Sequence, residues 1–460
     1  MLLVMNRSTW QTYSKKYGSM LAFLALELLL FTSLNLANYG MLFRYLAIVL
    51  ALALLPLVFI RYKKEDWLNL ALMFLLPLFM YAAFMAFSPL YFILQTVIDN
   101  IVMILALESF LFIGIALAQT NEFQIEKGLA AIFGGLGLLL TVSLVYTMWR
   151  YTPFYVLRYA GQVLYFDGER YLISEEAKWL FGFGFKEVKL SYFLQYAVML
   201  SPLSLGLLFV DFKKVSKFDY VWMAAGLVGL LAIVLLPSFS SLLYLVPAAI
   251  IALLVKLYPR TTKAMKILTY GLWGALGIFT LASVFLVLFA FEVPFAVNLV
   301  TNSAVFAKVY GNPFVRAYAE VLQAAISHPF GGLHSIFVNS NFIETTHSSV
   351  FDTLYQGGIM ATIGYLAVIV ISGITLTRYV RFSKDRMHIK MLLVLFVATF
   401  FLYTAFDHEY APFVREGERI YKKPFFSDLT LLLNVFLIGY AYARGQNQVP
   451  EQEKTEVAKG

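Results

Sequence analysis

Of the five histidines in the 460-residue chain, His347 has the neighbours most suited to chemistry. It stands in "ETTHSS", at the head of a long apolar run that ends near Arg378. An imidazole titrates near neutral pH and is the usual side chain for taking a proton from a hydroxyl. His347, Phe351, Leu354 and Gly358 fall on one helical face, so the ring would cap a stripe turned toward a bundle. The plainer reading is a solvated histidine at a helix start, with Ser348 a lesser polar contact beside it. Upstream lies "GNPFVRAYAEVLQAAISHPFGG", which carries Arg316. A guanidinium is permanently charged and meets phosphate oxygens bidentately, so a base and an anion-binding group follow one another in this segment.

Two further segments hold candidate cations. "WRYTPFYVLRYAGQVLYFDGER" offers Arg150, Arg158 and Arg170. Each has the alternative of pairing at a wet surface with Asp167, Glu169, Glu175 or Glu176, which is worth little. "AFDHEYAPFVREGERIYKKPF" places Arg415 and Arg419 at helical spacing, as phosphate contacts or as surface charge. Its Asp407, His408 and Glu409 could ligate a divalent cation, but three adjacent residues rarely converge on an ion without distant partners. No metal or other cofactor is therefore expected. The absence of cysteine excludes disulfides, thiolate metal sites and cysteine nucleophiles.

The elements that hold these residues must sit in lipid. The chain is 61% hydrophobic and 13% charged, with a mean hydropathy of +0.76, which a water-soluble domain cannot bury. A window of about 19 residues separates twelve candidate spans, near 18–38, 42–60, 67–88, 100–118, 128–148, 190–210, 219–236, 238–257, 267–291, 357–377, 391–406 and 427–443. The first is too long for a cleavable signal and reads as a signal anchor. With the amino terminus inside, 22 of the 35 Lys and Arg fall on the cytoplasmic side, 12 in three external segments, and Arg44 at an outer helix start. The positive-inside rule thus puts both termini in the cytoplasm. The net charge of +8 then records topology and attraction to anionic lipid, and no nucleic-acid partner is expected.

The expected fold class is all-α: a polytopic membrane bundle of about twelve helices forming one domain over residues 1–445, with a disordered cytoplasmic tail over 446–460. Its long external loops cover about 149–189, 292–356 and 407–426, and long loops usually carry function. Within the second, Asn312 suits a cap and Pro313 a first helical position, while Gly331 and Gly332 stop the helix. Phe314, Tyr318, Val321 and Ala325 form its apolar stripe; Arg316, Glu320, Gln323 and Ser327 form the polar one. Too short to span, this amphipathic helix suits the outer lipid surface, with Arg316 at headgroup depth. Glu27 and Glu108 fall inside spans one and four, where a carboxylate is costly; a structural role, through a shared proton or Ser and Tyr hydrogen bonds, is favoured.

The order of an arginine helix, "HPFGG", a polar stretch, then "HSS" before an apolar helix with an early Gly357-Gly358 resembles the O-antigen ligase and Wzy-type polysaccharide polymerase family. Members show an arginine helix ending in a His-Pro-x-x-Gly-like turn, then His-Asn or His-Ser at the next span. The match runs from Arg316 to Gly364, and elsewhere rests on span number and loop placement. Many members carry a Ser-Arg-Gly-like stretch in a middle span where this chain has "PSFSSLLYLV" from Pro237, so one substrate arginine lacks a counterpart.

The resemblance implies a metal-independent glycosyltransferase of the cell membrane, acting at the external or periplasmic face in cell-surface polysaccharide biosynthesis. Its donor and acceptor would be oligosaccharides on undecaprenyl diphosphate, and chain-length regulator and flippase proteins would be its partners. His347 would be the base and Arg316 the diphosphate ligand, with Arg158 or Arg150 as the basic residue of the first long loop; Arg150 to Gly161 also fits an R-x10-G spacing of some polymerases. Polymerisation of repeat units is favoured over ligation of a finished glycan, since there is no extra acceptor-binding domain. A flippase would explain the spans and intramembrane carboxylates but not the gathering of titratable residues in external segments. Chain extension is expected to survive EDTA; loss that added divalent cation restores would point instead to Asp407, His408 and Glu409.

Overall fold

The computed structural model describes residues 94–118, 125–151, 157–159, 162–166, 168–173, 176–181, 186–188, 190–213, 215–235, 245–257, 291–304, 307, 313–333, 336–338, 341–343, 346, 348–406 and 426–446, with isolated positions between 49 and 83 and between 267 and 289. The first expected span and most of the second, third and ninth lie outside these residues, as do Glu27, His347, the segment with Arg415 and Arg419, and the tail beyond Gln446.

The described residues are mostly helical, as the apolar runs predict. In chain order the helices are α1 (Leu94–Ala118), α2 (Ile125–Arg150), α3 (Leu190–Leu200), α4 (Lys217–Leu235), α5 (Leu245–Leu257), α6 (Pro294–Asn302), α7 (Pro313–Ser327), α8 (Ser349–Phe382), α9 (Met387–Phe406) and α10 (Phe426–Gln446). Among the described residues three of them, α2, α4 and α8, are long and apolar enough to cross a membrane. This is consistent with a membrane protein. Leu138 and Val145 on α2, Leu231 and Val234 on α4, and Val370 and Ile374 on α8 are exposed, a pattern that costs nothing against lipid. The sixth expected span is not a single α-helix: after α3 the chain tightens into a 3-10 helix over Ser201–Phe209. Pro202 supplies no N–H to the i−4 carbonyl, and Ser201 and Ser204 donate their hydroxyls to Val198 and Ser201 carbonyls at 3.0 and 2.6 Å.

The first long segment also departs from an all-helical expectation. It forms an antiparallel sheet of β1 (Leu157–Tyr159), β2 (Gln162–Phe166) and β3 (Tyr171–Ile173), then a hairpin of β4 (Trp179–Phe181) and β5 (Lys186–Val188). The aromatic and β-branched content of "VLYF" and "YLI", separated by a turn at Gly168 (φ 97°), carries a strand signal that hydropathy windows average away. A second hairpin, β6 (Ile336–Val338) with β7 (Asn341–Ile343), lies between α7 and α8.

The helices pack through small residues, as expected where lipid offers no hydrophobic drive between them. α1 and α10 lie closest: a side chain at Gly114 would overlap the Phe436 carbonyl, and one at Gly439 the Leu111 carbonyl. Beside this contact Glu108 is buried with Oε1 unbonded; Ser109 gives its hydroxyl to Leu105 and not to the carboxylate, so the hydrogen-bonded pairing expected there is not made by that oxygen.

One end of the bundle is pinned by charge. Asp219 at the start of α4 accepts from Trp222 Nε1 at 3.1 Å, and His388 Nε2 lies 3.3 Å away as an ion-pair contact when protonated. Asp385 accepts from the Tyr379 and Tyr440 hydroxyls at 2.7 and 3.2 Å and faces Arg444 at 3.6 Å. Lys390 donates to the Val380 carbonyl at 3.0 Å and to the Ser383 carbonyl, closing the end of α8. These cations, read from sequence as topology and lipid attraction, also staple helix ends. Gly439→Val is expected to cost about 1–3 kcal/mol, read as a lower thermal unfolding midpoint in detergent; an unchanged midpoint would mean that α1 and α10 do not meet there.

Candidate functional site at the mouth of α8

α7 begins at Pro313, whose fixed φ suits the first helical turn. Its periodicity holds in part: Val321 and Ala325 of the expected stripe are buried and Tyr318 is half-buried, Ala317 and Ala319 are buried as well, and Arg316 and Ser327 are exposed. The partner of the apolar stripe is protein, not the lipid surface expected from the sequence. Ala317 and Val321 pack with Phe351 and Tyr355 of α8, and the Tyr318 ring stacks on Phe351 with centroids 4.3 Å apart and planes at 12°. Arg316 therefore takes its place from α8. Four residues on, burial pushes the Glu320 carboxyl up, and the Arg316 charge partly opposes that shift. Ionised Glu320 is thus a cost of burial that the arginine offsets.

Beyond α7 the chain turns through Pro329, Phe330, Gly331 and Gly332, with φ of 73° and 103° at the two glycines. The turn enters a break in α8, where Gly358 has φ 78° and ψ −173°. Three backbone hydrogen bonds join them. Gly332 N–H donates to the Gln356 carbonyl at 2.9 Å, Leu333 N–H to the Tyr355 carbonyl at 3.2 Å, and Ile359 N–H to the Pro329 carbonyl at 2.9 Å. A Cβ at Gly331 would overlap Gly358 and Gln356 backbone, and one at Gly358 would overlap Pro329 and Phe330. The glycines of "HPFGG" and "QGG" are therefore one feature: each permits the backbone of the other to approach. Gly357 and Gly358 thus form a close-packed seat for this turn.

The start of α8 is fixed from the other side. Thr346 N–H and Oγ1–H both donate to Asp352 Oδ1, each at 2.7 Å, and Asp352 N–H donates to the Ser348 carbonyl at 2.8 Å. Thr346, Ser348 and Asp352 are all buried. Neither Thr346 nor Asp352 stands out among the candidate residues read from the sequence. The signal is present in "SSVFD", where Ser349 and Asp352 have the spacing of a helix-start box and a carboxylate suits the first turn.

The other candidates lie on different elements. Arg150 ends α2, exposed, with its guanidinium 6.0 Å from the Tyr151 ring centroid. Arg158 sits in β1 opposite Val163 of β2, and Arg170 is exposed beyond Gly168. β4 ties this region to α2: Leu180 N–H donates to Thr147 Oγ1 at 3.2 Å and Lys178 N–H to the Tyr151 hydroxyl at 2.7 Å. The main packing of β4 is on α2 and that of α7 is on α8 and β6, so Arg316 and Ser348 are brought to neighbouring elements, while Arg150 ends α2 and Arg158 lies on β1, which pairs with β2. His347, Arg415 and Arg419 lie outside the described residues, as do Asp407, His408 and Glu409. Among the described residues no group of three or more His, Asp or Glu could hold a metal ion.

Comparison of the chain with known protein families and with curated proteins finds no match. The site is thus read from its own residues. Gly358→Ala, forced into a backbone conformation nearly confined to glycine and against the Pro329 carbonyl, is expected to cost about 1–3 kcal/mol and to open the 329–333 turn to protease. A variant as stable and as resistant as the parent would show that the turn is not seated in the helix.

Proposed function

We propose that the chain is a membrane glycosyltransferase that polymerises oligosaccharide repeat units carried on undecaprenyl diphosphate, at the outer face of the cell membrane. The observation that carries this reading is the seating of the glycine turn in the break of α8 at Gly358, with the Arg316 helix packed on Phe351 and Tyr355 between that break and the helix start that follows His347. In the proposed reaction the bond from the anomeric carbon to the diphosphate oxygen breaks and a bond to an acceptor hydroxyl oxygen forms. His347 takes the hydroxyl proton. The electron pair leaves with the diphosphate, whose growing charge the Arg316 guanidinium stabilises. Arg158, Arg150, Arg415 and Arg419 are the proposed further contacts to phosphate or glycan, and Ser348 a polar contact at the base. No metal has a step in this reaction.

The proposed frame is a bundle of about twelve spans with both termini in the cytoplasm. The half of α8 beyond its break, residues 359–382, rises about 36 Å at 1.5 Å per residue, more than the hydrocarbon thickness of a bilayer. That length supports placing the Arg316 mouth on one side and the Asp385, His388 and Arg444 charges on the other. Ligation of a finished glycan to a different acceptor uses the same groups and differs only in the acceptor.

A transporter is the second reading, favoured by the broken α8 and the buried Glu108 carboxylate. It is weakened by the turn that fills the break, since the freed Tyr355 and Gln356 carbonyls accept from protein N–H groups. His347→Ala and Arg316→Ala are each expected to abolish chain extension while the protein still inserts in the membrane. Polymer near the normal amount from the His347 variant would remove the proposed base.

A further inference from the structure

Among the polar side chains that the proposed reaction leaves unused, His328 is held in the most defined state. It closes α7: its N–H donates to the Ala324 carbonyl at 2.7 Å, and its carbonyl accepts from Gly331 N–H at 2.9 Å. The residue thus belongs both to the helix end and to the turn seated in the α8 break. Its ring is tied as well. Ser327 Oγ lies 3.3 Å from the Gln323 carbonyl, 3.1 Å from the Ala324 carbonyl and 3.0 Å from His328 Nδ1. A hydroxyl has one hydrogen, and giving it to Nδ1 would leave the oxygen facing two carbonyl oxygens with lone pairs alone. All three contacts are attractive only when the hydroxyl donates to the carbonyls and Nδ1–H donates to Oγ. The neutral imidazole then leaves its Nε2 lone pair as an acceptor. Among the described residues Nε2 has no partner, and His328 is exposed.

Two residues on, Phe330 is 58% exposed on the same turn. An acceptor nitrogen beside an open aromatic face suits a sugar, whose hydroxyls donate and whose ring has an apolar side. A lipid phosphate diester has no hydrogen to offer such a nitrogen. Ser327 shares the polar stripe of Arg316 and lies about 16 Å further along α7 at 1.5 Å per residue. That distance is too long for one diphosphate and fits the glycan attached to it. We propose that His328 is a glycan contact, its Nε2 accepting a hydrogen bond from a sugar hydroxyl of the lipid-linked unit, with Ser327 as the positioning residue that fixes the tautomer. The role rests on the glycosyltransferase reading given above and is separate from that of the base.

The test uses the full-length protein in detergent, with single lipid-linked repeat units isolated from cells lacking the chain. His328→Ala is expected to raise KM for the unit roughly 3- to 10-fold, the effect of one neutral hydrogen bond, with kcat unchanged. Ser327→Ala is expected to raise KM by a smaller factor. Should His328→Ala not fold, His328→Phe removes the acceptor while keeping a ring and is read in the same way. In protein carrying isotope-labelled histidine, the nitrogen NMR signals lost in the His328 variant are expected to show a protonated Nδ1 and a bare Nε2 in mildly alkaline buffer. The Nε2 signal is expected to shift when the lipid-linked unit is added, and to stay in place with undecaprenyl diphosphate that carries no sugar. The opposite tautomer, or an equal shift with the sugar-free lipid, overturns the proposal. So does an unchanged KM in folded His328→Ala, or a loss confined to kcat, while His347→Ala is inactive; the glycosyltransferase reading then stands without this contact. A parent protein that extends no lipid-linked unit removes that reading, and the sugar contact with it.

Discussion

Opening a helix inside or beside a bilayer leaves carbonyl and N–H groups that no water can reach, at about 1–3 kcal/mol for each group left unpaired. α8 is opened in this way at Gly358, and the groups it frees are taken by the turn over residues 329–333. The exchange runs in both directions, because the turn accepts from Ile359 as well as donating to the Tyr355 and Gln356 carbonyls. Everything proposed for the site depends on this joint. It fixes the end of α7, and with it the register of Ala317 and Val321 against Phe351 and Tyr355. Arg316, on the opposite side of α7, is thereby held at the mouth of α8 without needing a lipid surface to orient it.

The two ends of α8 are built on different physics. At the mouth, backbone hydrogen bonds and close glycine contacts bring the chain into a narrow arrangement that leaves a guanidinium exposed. At the far end, Asp385, Lys390, Tyr379, Tyr440 and Arg444 tie α8, α9 and α10 through charge and hydroxyl contacts. A long helix held at its charged end, and broken where the 329–333 turn enters it, is the scaffold for the chemistry proposed at the broken end.

Much of this arrangement is legible in the amino-acid sequence, because it rests on local rules. The short α7 is announced by Pro313, by the opposition of an apolar stripe with Tyr318, Val321 and Ala325 to a polar one with Arg316, and by the stop at Gly331. Spans four to eight and ten to twelve appear as helices or helical runs near their expected limits. Which surface covers which is not legible. The apolar stripe of α7 fits lipid and α8 equally well by periodicity, and only packing decides between them. Likewise, glycines that are 27 residues apart in the chain, Gly331 and Gly358, give no sequence sign that each makes room for the other. The strands of the first long segment are hidden by their brevity, and Asp352 by its place inside a segment that reads as apolar. Among the candidate residues, Arg316 is exposed on α7, which packs on α8 and not on the lipid surface expected from the sequence, and Arg150 and Arg158 fall on α2 and β1.

The central claim is that lipid-linked units are joined at the outer face of the membrane. The most direct measurement is the composition and leaflet of lipid-linked oligosaccharide in cells from which the chain has been deleted. Single unextended units accumulating in the outer leaflet are the predicted result. Accumulation in the inner leaflet would contradict the account and make the chain a transporter.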